Sequence, residues 1–242
     1  MPLNQLVNNM STIVMSCKYP EFVSVVKKLG YRVIISENII NFPEPERLHA
    51  DMQILKIHND IFILQEAMQL YKNIALYTNS RLNICKKCVG NKYPENVILN
   101  CLFINNRLYG KAKAIDPTVT DYCDKNAIEI VNIPQGYSRC STLVLNNRAV
   151  ITADSSIANA LKNDGVEVLL ISSGNIVLDG YDYGFIGGAS GNLNNNTVVF
   201  FGDIKKHPDY TTIKNFLDKH NINLIIACEE MPLTDIGGIV LV

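Results

Sequence analysis

Apolar and polar positions alternate along this chain in short stretches that break at two or three Asn or Asp residues and then resume. The clearest are ILKIHNDIFIL (54–64), FINNRLYGK (103–111), LVLNNRAVIT (143–152) and LNNNTVVFFGD (193–203). A period of two puts one side of each stretch on a common face, the signature of a half-buried strand. Asn and Asp tolerate the left-handed backbone of a tight turn, so each stretch predicts a β-hairpin.

A helix signal follows three of the hairpins: Asp116 precedes PTVTDYCDKN, Asp154 precedes SSIANALKNDG, and His207 precedes PDYTTIKNFLDKHN. Asp116 and Asp154 read as N-caps, and Pro117 and Pro208 fit a first helical turn, where a missing N–H costs nothing. Short apolar runs then predict closing strands at 73–78, 128–133, 166–172 and 222–228. The early part of the chain supplies a strand (11–16), a helix with Pro20 in its first turn, and a strand (31–36). The strand missing from that unit lies within PLTDIGGIVLV (232–242). Five units of strand, strand, helix, strand therefore account for residues 1–242 as one domain, with modules at 232–242 joined to 11–37, 49–80, 96–134, 136–173 and 184–228. Pairing the two terminal strands closes the series and hides its edges.

Composition narrows the classes of function. The chain has 242 residues, 48% hydrophobic and 19% charged, enough to bury a substantial core. With 22 basic and 23 acidic residues it carries a formal charge of -1. It lacks the basic footprint that a phosphate backbone demands, which argues against a nucleic-acid partner. No apolar run reaches membrane-spanning length and the first residues do not resemble a signal peptide, so a cytoplasmic protein is expected. Seven cysteines fit reduced thiols. Cys85 and Cys88 form a CxxC without a second ligand pair, and no metal or cofactor is expected from it.

Five such units around a pseudo-fivefold axis resemble the pentein, or guanidino-group-modifying-enzyme, fold. HADMQ (49–53), GYSRCST (136–142), GFIGGASG (184–191) and PLTDIGGI (232–239) look like motifs of an uncharacterised bacterial family assigned to it. The resemblance implies an α/β fold, a five-bladed α/β propeller whose central channel is lined by the first strand of each hairpin. The polar residues just ahead of the Asn-rich turns then become the candidates: His49, Asp51 and Gln53, Asn100, Arg139, Cys140 and Ser141, Gly187, Gly188 and Ser190, and Thr234 and Asp235. Strand alternation would set His49, Asp51 and Gln53 on one face.

A guanidinium is planar, permanently charged and forked, so its pocket needs carboxylates; Asp51 and Asp235 are the available pair, unless they serve as strand-end and turn residues. Cys140 is the thiol nearest the expected channel, beside an Arg139 charge that would lower its pKa, with His49 as base. The alternative is a small buried hydrophobe. Asn100, Gln53, Arg139, Ser141, Ser190 and Thr234, with the backbone N–H groups of Gly187 and Gly188, are candidate ligand contacts. His58, His207 and His220 fall at a turn, a helix start and a helix end.

Enzymes of the pentein fold carry their nucleophilic Cys on the last strand and a His-x-Asp in the fourth module. Here the last strand has no Cys, and His-x-Asp occurs in the second module, at His49 and Asp51. The expectation is a small-molecule-binding protein, a hydrolase or transferase of a guanidino, amidino or related amide compound with a rearranged site. The alternative is a non-catalytic protein that binds a macromolecule, as other members of the fold do on the ribosome.

Overall fold

The computed structural model describes residues 10–242. The first nine residues, on which part of the signal-peptide reading and of the 1–242 domain assignment falls, lie outside the described residues. Five three-stranded sheets make up the described chain. In four of them an antiparallel hairpin leads into a helix, and a third strand returns parallel to the hairpin's second strand. The fifth is assembled from both ends: β1 (Thr12–Met15) pairs antiparallel with β15 (Ile239–Leu241), with Ile13 opposite Leu241, and parallel with β2 (Arg32–Ile35). Helix α1 (Pro20–Lys28) connects β1 to β2, and its Pro20 occupies the first turn as expected.

The hairpin turns separate into two kinds. Between β3 (Ile54–Ile57) and β4 (Asp60–Ile63), His58 has φ 52°; between β6 (Leu102–Ile104) and β7 (Arg107–Gly110), Asn105 and Asn106 have φ 50° and 58°. Positive φ at the first central residue of the β3–β4 turn, and at both central residues of the β6–β7 turn, matches the right-handed twist of the flanking strands. The hairpins β9 (Thr142–Asn146) to β10 (Ala149–Thr152) and β12 (Ser190–Asn194) to β13 (Thr197–Asp203) instead close on their own asparagines. Asn146 Oδ1 accepts the Arg148 N–H at 2.8 Å and Asn194 Oδ1 accepts the Asn196 N–H at 3.0 Å, each beside a shift in strand register.

Helices α4 (Pro117–Lys125) and α5 (Ser155–Asn163) start on the expected caps: Asp116 accepts the Thr118 N–H, and Asp154 accepts those of Ser156 and Ile157. They lead into β8 (Glu129–Asn132) and β11 (Glu167–Leu170). Two expectations need correction. Residues 73–78 are not the second unit's closing strand, because helix α3 (Met68–Ala75) covers 73–75, the chain turns at Leu76 and Tyr77, and the strand is β5 (Arg81–Ile84). Leu70 and Ile74, four residues apart, are both buried, whereas Leu76 and Tyr77 are exposed, so helical rather than alternating periodicity puts this segment's apolar groups inside. Pro208 also lies ahead of its helix, since α6 (Tyr210–Lys219) follows a 3-10 turn at Ile204–Lys206. Asp209 does not cap α6 with its side chain; it accepts the Ser172 N–H at 2.6 Å.

The core consists of the helices' apolar stripes packed on neighbouring sheets. Phe22 of α1, for example, meets Phe201 of β13 with ring centroids 5.5 Å apart. Among the described residues no helix is long and apolar enough to cross a membrane.

Candidate active site at the meeting of five turns

Directly before the first strand of every sheet the chain makes a tight turn, and these five turns are bonded to one another in a closed circuit. The Asp51 N–H donates to Gly237 O (3.1 Å), and the N–H groups of Ile236 and Gly238 donate to Gly188 O (3.0 and 2.8 Å). The Gly188 N–H donates to Cys140 O (2.9 Å). The Arg139 and Cys140 N–H groups donate to Asn100 Oδ1 (2.9 and 3.2 Å), and Asn100 Nδ2 donates to Asp51 O (3.1 Å), completing the circuit. Buried backbone groups must find partners, and here each turn finds them on its neighbour.

One sequence expectation fails at this point. His49, Asp51 and Gln53 do not alternate along a strand: α2 (Ala50–Gln53) is a single helical turn with His49 as its N-cap residue. Gln53 consequently points away from the meeting point and braces a loop, accepting the Glu37 N–H at 2.9 Å and donating to Glu37 O and Arg47 O.

Four of the predicted side chains do converge. His49, Asp51, Cys140 and Asp235 are 4, 1, 2 and 2% exposed. A His49 ring nitrogen, an Asp51 oxygen and the Cys140 Sγ all lie within 4.8 Å of one another, and His49 Nδ1 is 4.0 Å from Asp235 Oδ1. Asp235 is held by backbone: Oδ1 accepts the Gly237 N–H at 2.9 Å and Oδ2 that of Phe185 at 2.8 Å. Gly188 must be glycine beside it, because a Cβ there would come 2.0 Å from Asp235 Oδ1. Gly187 is equally constrained, its missing Cβ facing Arg139 O at 2.4 Å. Both carboxylate oxygens of Asp51 are buried and accept no hydrogen bond from a nitrogen or hydroxyl donor.

Burial pushes the Asp51 carboxyl up to about 6; His49 opposes the shift and Asp235 adds to it. The Cys140 thiol is likewise driven well above its ordinary value by burial and by the negative charges of Asp51 and Asp235. This overturns the expectation of a low-pKa thiol beside Arg139. The Arg139 guanidinium turns to Thr142 O, 3.1 Å away, and desolvation decides the thiol's state.

The other candidates serve the turns themselves. Ser190 Oγ donates to Ile186 O at 2.6 Å and Thr234 Oγ1 to Pro232 O at 2.7 Å. Ser141 Oγ is buried without a partner and its carbonyl accepts the Thr152 hydroxyl. Asn100 Nδ2 also lies 3.0 Å from Cys140 Sγ.

A cavity of about 230 Å³ opens over His49, Cys140 and Asp235. Its walls include Glu46, Tyr137, Tyr181, Tyr183 and Phe185, none singled out from sequence. Glu46 Oε1 accepts the hydroxyls of Tyr137 (2.8 Å) and Tyr181 (2.6 Å), while Oε2 accepts Asn96 Nδ2 (2.8 Å). Burial, reinforced by Glu46, raises both tyrosine hydroxyls, so they remain neutral donors. The available signal lay in the motifs: Tyr137 is within GYSRCST, Phe185 is within GFIGG, and Tyr181 and Tyr183 crowd the segment leading into it.

Comparison with known proteins fits this architecture. Residues 13–240 match the model of a family described as "Family of unknown function (DUF6873)". No curated protein matches the sequence. The fold is that of the penteins. DDAH from Pseudomonas aeruginosa, complexed with citrulline, aligns over 96% of this chain and 99% of its own, with a TM-score of 0.59 and 8% identity. A putative peptidyl-arginine deiminase aligns over 96% of each chain, with a TM-score of 0.57 and 8% identity. An inosamine-phosphate amidinotransferase from Streptomyces griseus aligns over 89% of this chain and 75% of its own, with a TM-score of 0.53 and 12% identity. At these identities the likeness is one of fold.

Proposed function

The chain belongs to the Family of unknown function (DUF6873), and we propose that it is a single-domain, five-bladed α/β propeller that binds a small amidino or guanidino compound above the hub and acts on it as a hydrolase or transferase. Five sheets, the pairing of β1 with β15 and the circuit of bonded turns support the propeller. The observation that carries the function is the cavity itself, with a thiol, an imidazole and a carboxylate at its floor and aromatic walls around them. Solved proteins of the same fold include an amidinotransferase and a dimethylarginine dimethylaminohydrolase, in accord with this reading.

A planar cation suits such a pocket. Its faces lie against Tyr137, Tyr181 and Phe185, and its edge N–H groups meet Asp235, whose oxygens are already fixed. The positive charge arriving next to Cys140 offsets the carboxylates that hold the thiol protonated, so the ligand itself favours ionisation, with the proton passing to His49. The thiolate then forms a C–S bond to the amidino carbon, and the C–N bond breaks as His49 returns its proton to the departing amine. Water, or a second amine for transfer, then gives a proton to His49 and bonds to the amidino carbon, and the C–S bond breaks as the Cys140 thiolate leaves and takes up that proton. Asp51 stabilises the charged imidazolium during these steps.

Calorimetric titration with arginine, agmatine and N-methylated arginines in excess chelator, paired with assays for released amine, tests this reading. Binding should be lost in Asp235→Asn, and Cys140→Ser should bind without turnover. Absence of binding by every cationic amidino compound to the folded protein would overturn the reading; binding without wild-type turnover would reduce it to that of a binding protein.

A further inference from the structure

We propose that His49, Asp51 and Cys140 form a binding site for a thiophilic divalent cation of the zinc class. The three residues offer one nitrogen, one oxygen and one sulfur within 4.8 Å of each other, all buried. Ligands around tetrahedral zinc lie roughly 3.5 Å apart, so a contraction of about 1 Å completes the set, within reach of side-chain rotation. Independent support comes from Asp51. A carboxylate 1% exposed, with neither oxygen accepting from a nitrogen or hydroxyl donor and only the thiol of a fellow ligand beside it, is what a cation-binding position looks like before the cation arrives.

The donor set selects the metal class. Magnesium and calcium favour all-oxygen shells, whereas a Cys, His and Asp combination suits zinc and cobalt. Thiolate and carboxylate together carry two negative charges, which a divalent ion neutralises. Supporting groups surround the ligands: Asn100 Nδ2 lies 3.0 Å from Cys140 Sγ, and the Asp235 carboxylate lies 4.0 Å from His49 Nδ1. His49 and Cys140 also line the 230 Å³ cavity, which supplies an entry path and space for a fourth ligand.

This inference goes beyond the amidino reading and does not rest on it. A Cys140 that ligates a cation is no longer a free nucleophile, so cation occupancy and the covalent chemistry proposed above exclude one another. Turnover measured in excess chelator therefore reports on the amidino reading alone.

The test titrates chelator-stripped full-length protein with Co²⁺ and then competes it with Zn²⁺. One equivalent should produce a thiolate-to-cobalt charge-transfer band that Zn²⁺ abolishes. The band should vanish in Cys140→Ser, and affinity should fall at least tenfold in Asp51→Asn, while a Cys17→Ser/Cys88→Ser variant, lacking the two exposed thiols, retains both. Should the hub variants fail to fold, wild-type protein suffices: under exposure to iodoacetamide prolonged until Cys140 of the metal-free protein is modified, one equivalent of Zn²⁺ should protect Cys140, read by mass spectrometry. No cobalt uptake, a band that persists in Cys140→Ser or disappears with the exposed thiols, or Cys140 alkylation unchanged by Zn²⁺ would each overturn the proposal.

Discussion

Asn100 grips Cys140 from two directions. Its Nδ2 lies 3.0 Å from the thiol sulfur, while its Oδ1 accepts the Cys140 backbone N–H at 3.2 Å. The same side chain bonds the Arg139 N–H and the Asp51 carbonyl, so one buried amide joins three turns of the hub. Truncation in Asn100→Ala orphans two backbone donors and one acceptor. Since each unsatisfied buried group costs about 1–3 kcal/mol and a vacated site relaxes partially, a loss of about 2–4 kcal/mol is expected in chemical denaturation. A change under 1 kcal/mol would show that the turns do not depend on this amide.

Gly188→Ala should disable the pocket without dismantling the sheets. The added methyl would sit 2.0 Å from Asp235 Oδ1 and push that carboxylate off the backbone donors that fix it. A charge-assisted hydrogen bond contributes about 1.5–3 kcal/mol, so affinity for a guanidino ligand should drop about ten- to hundredfold by calorimetry. Unchanged affinity would remove Asp235 from the binding site.

Cys140 should be among the slowest thiols to react. It is buried and its ionisation is opposed by desolvation and by Asp51 and Asp235, whereas Cys17 and Cys88 are exposed. Iodoacetamide at pH 8 followed by peptide mass mapping should find Cys17 and Cys88 modified well before Cys140. Early modification of Cys140 in ligand-free protein would contradict the proton-bound resting thiol.

The cap of α5 supplies a pH-dependent contribution to stability. Burial raises the Asp154 carboxyl, but hydrogen bonds from Ser156, the Ile157 N–H and Gln135 outweigh it, leaving the group below its usual value. A depressed carboxylate contributes fully above its unfolded pKa of about 4 and loses that contribution as pH falls through the folded value. Asp154→Ala should thus cost about 1 kcal/mol at pH 7, and the gap from wild type should narrow below pH 4 in parallel denaturation curves. A gap that widens in acid would refute the assignment.

Hairpins were legible because their determinants are local. Alternation chooses a face, and the Asn-rich turn that follows closes its own hydrogen bonds, as Asn146 and Asn194 do within two residues. The caps at Asp116 and Asp154 are just as local, and the terminal pairing of β15 with β1 followed from counting units. Residues 73–78 misled because IALY fits either period over so short a window, and burial of Leu70 with Ile74 settles the matter in favour of a helix.

The chain order alone therefore determined five repeating strand pairs and which turns carry polar residues. Tertiary structure decided how those residues point. His49 and Asp51 meet Cys140 through a helical turn that no alternation foretold, because that turn is held by Gly237 and Asn100 from distant parts of the chain. Glu46 shows the same dependence: its acceptors are satisfied by tyrosines 91 and 135 residues away, so its burial is invisible to any local window. The thiol's proton was likewise settled only in three dimensions. Desolvation and two neighbouring carboxylates outweigh the adjacent Arg139, since electrostatic energy depends on distance through space and on exclusion of water rather than on adjacency in sequence.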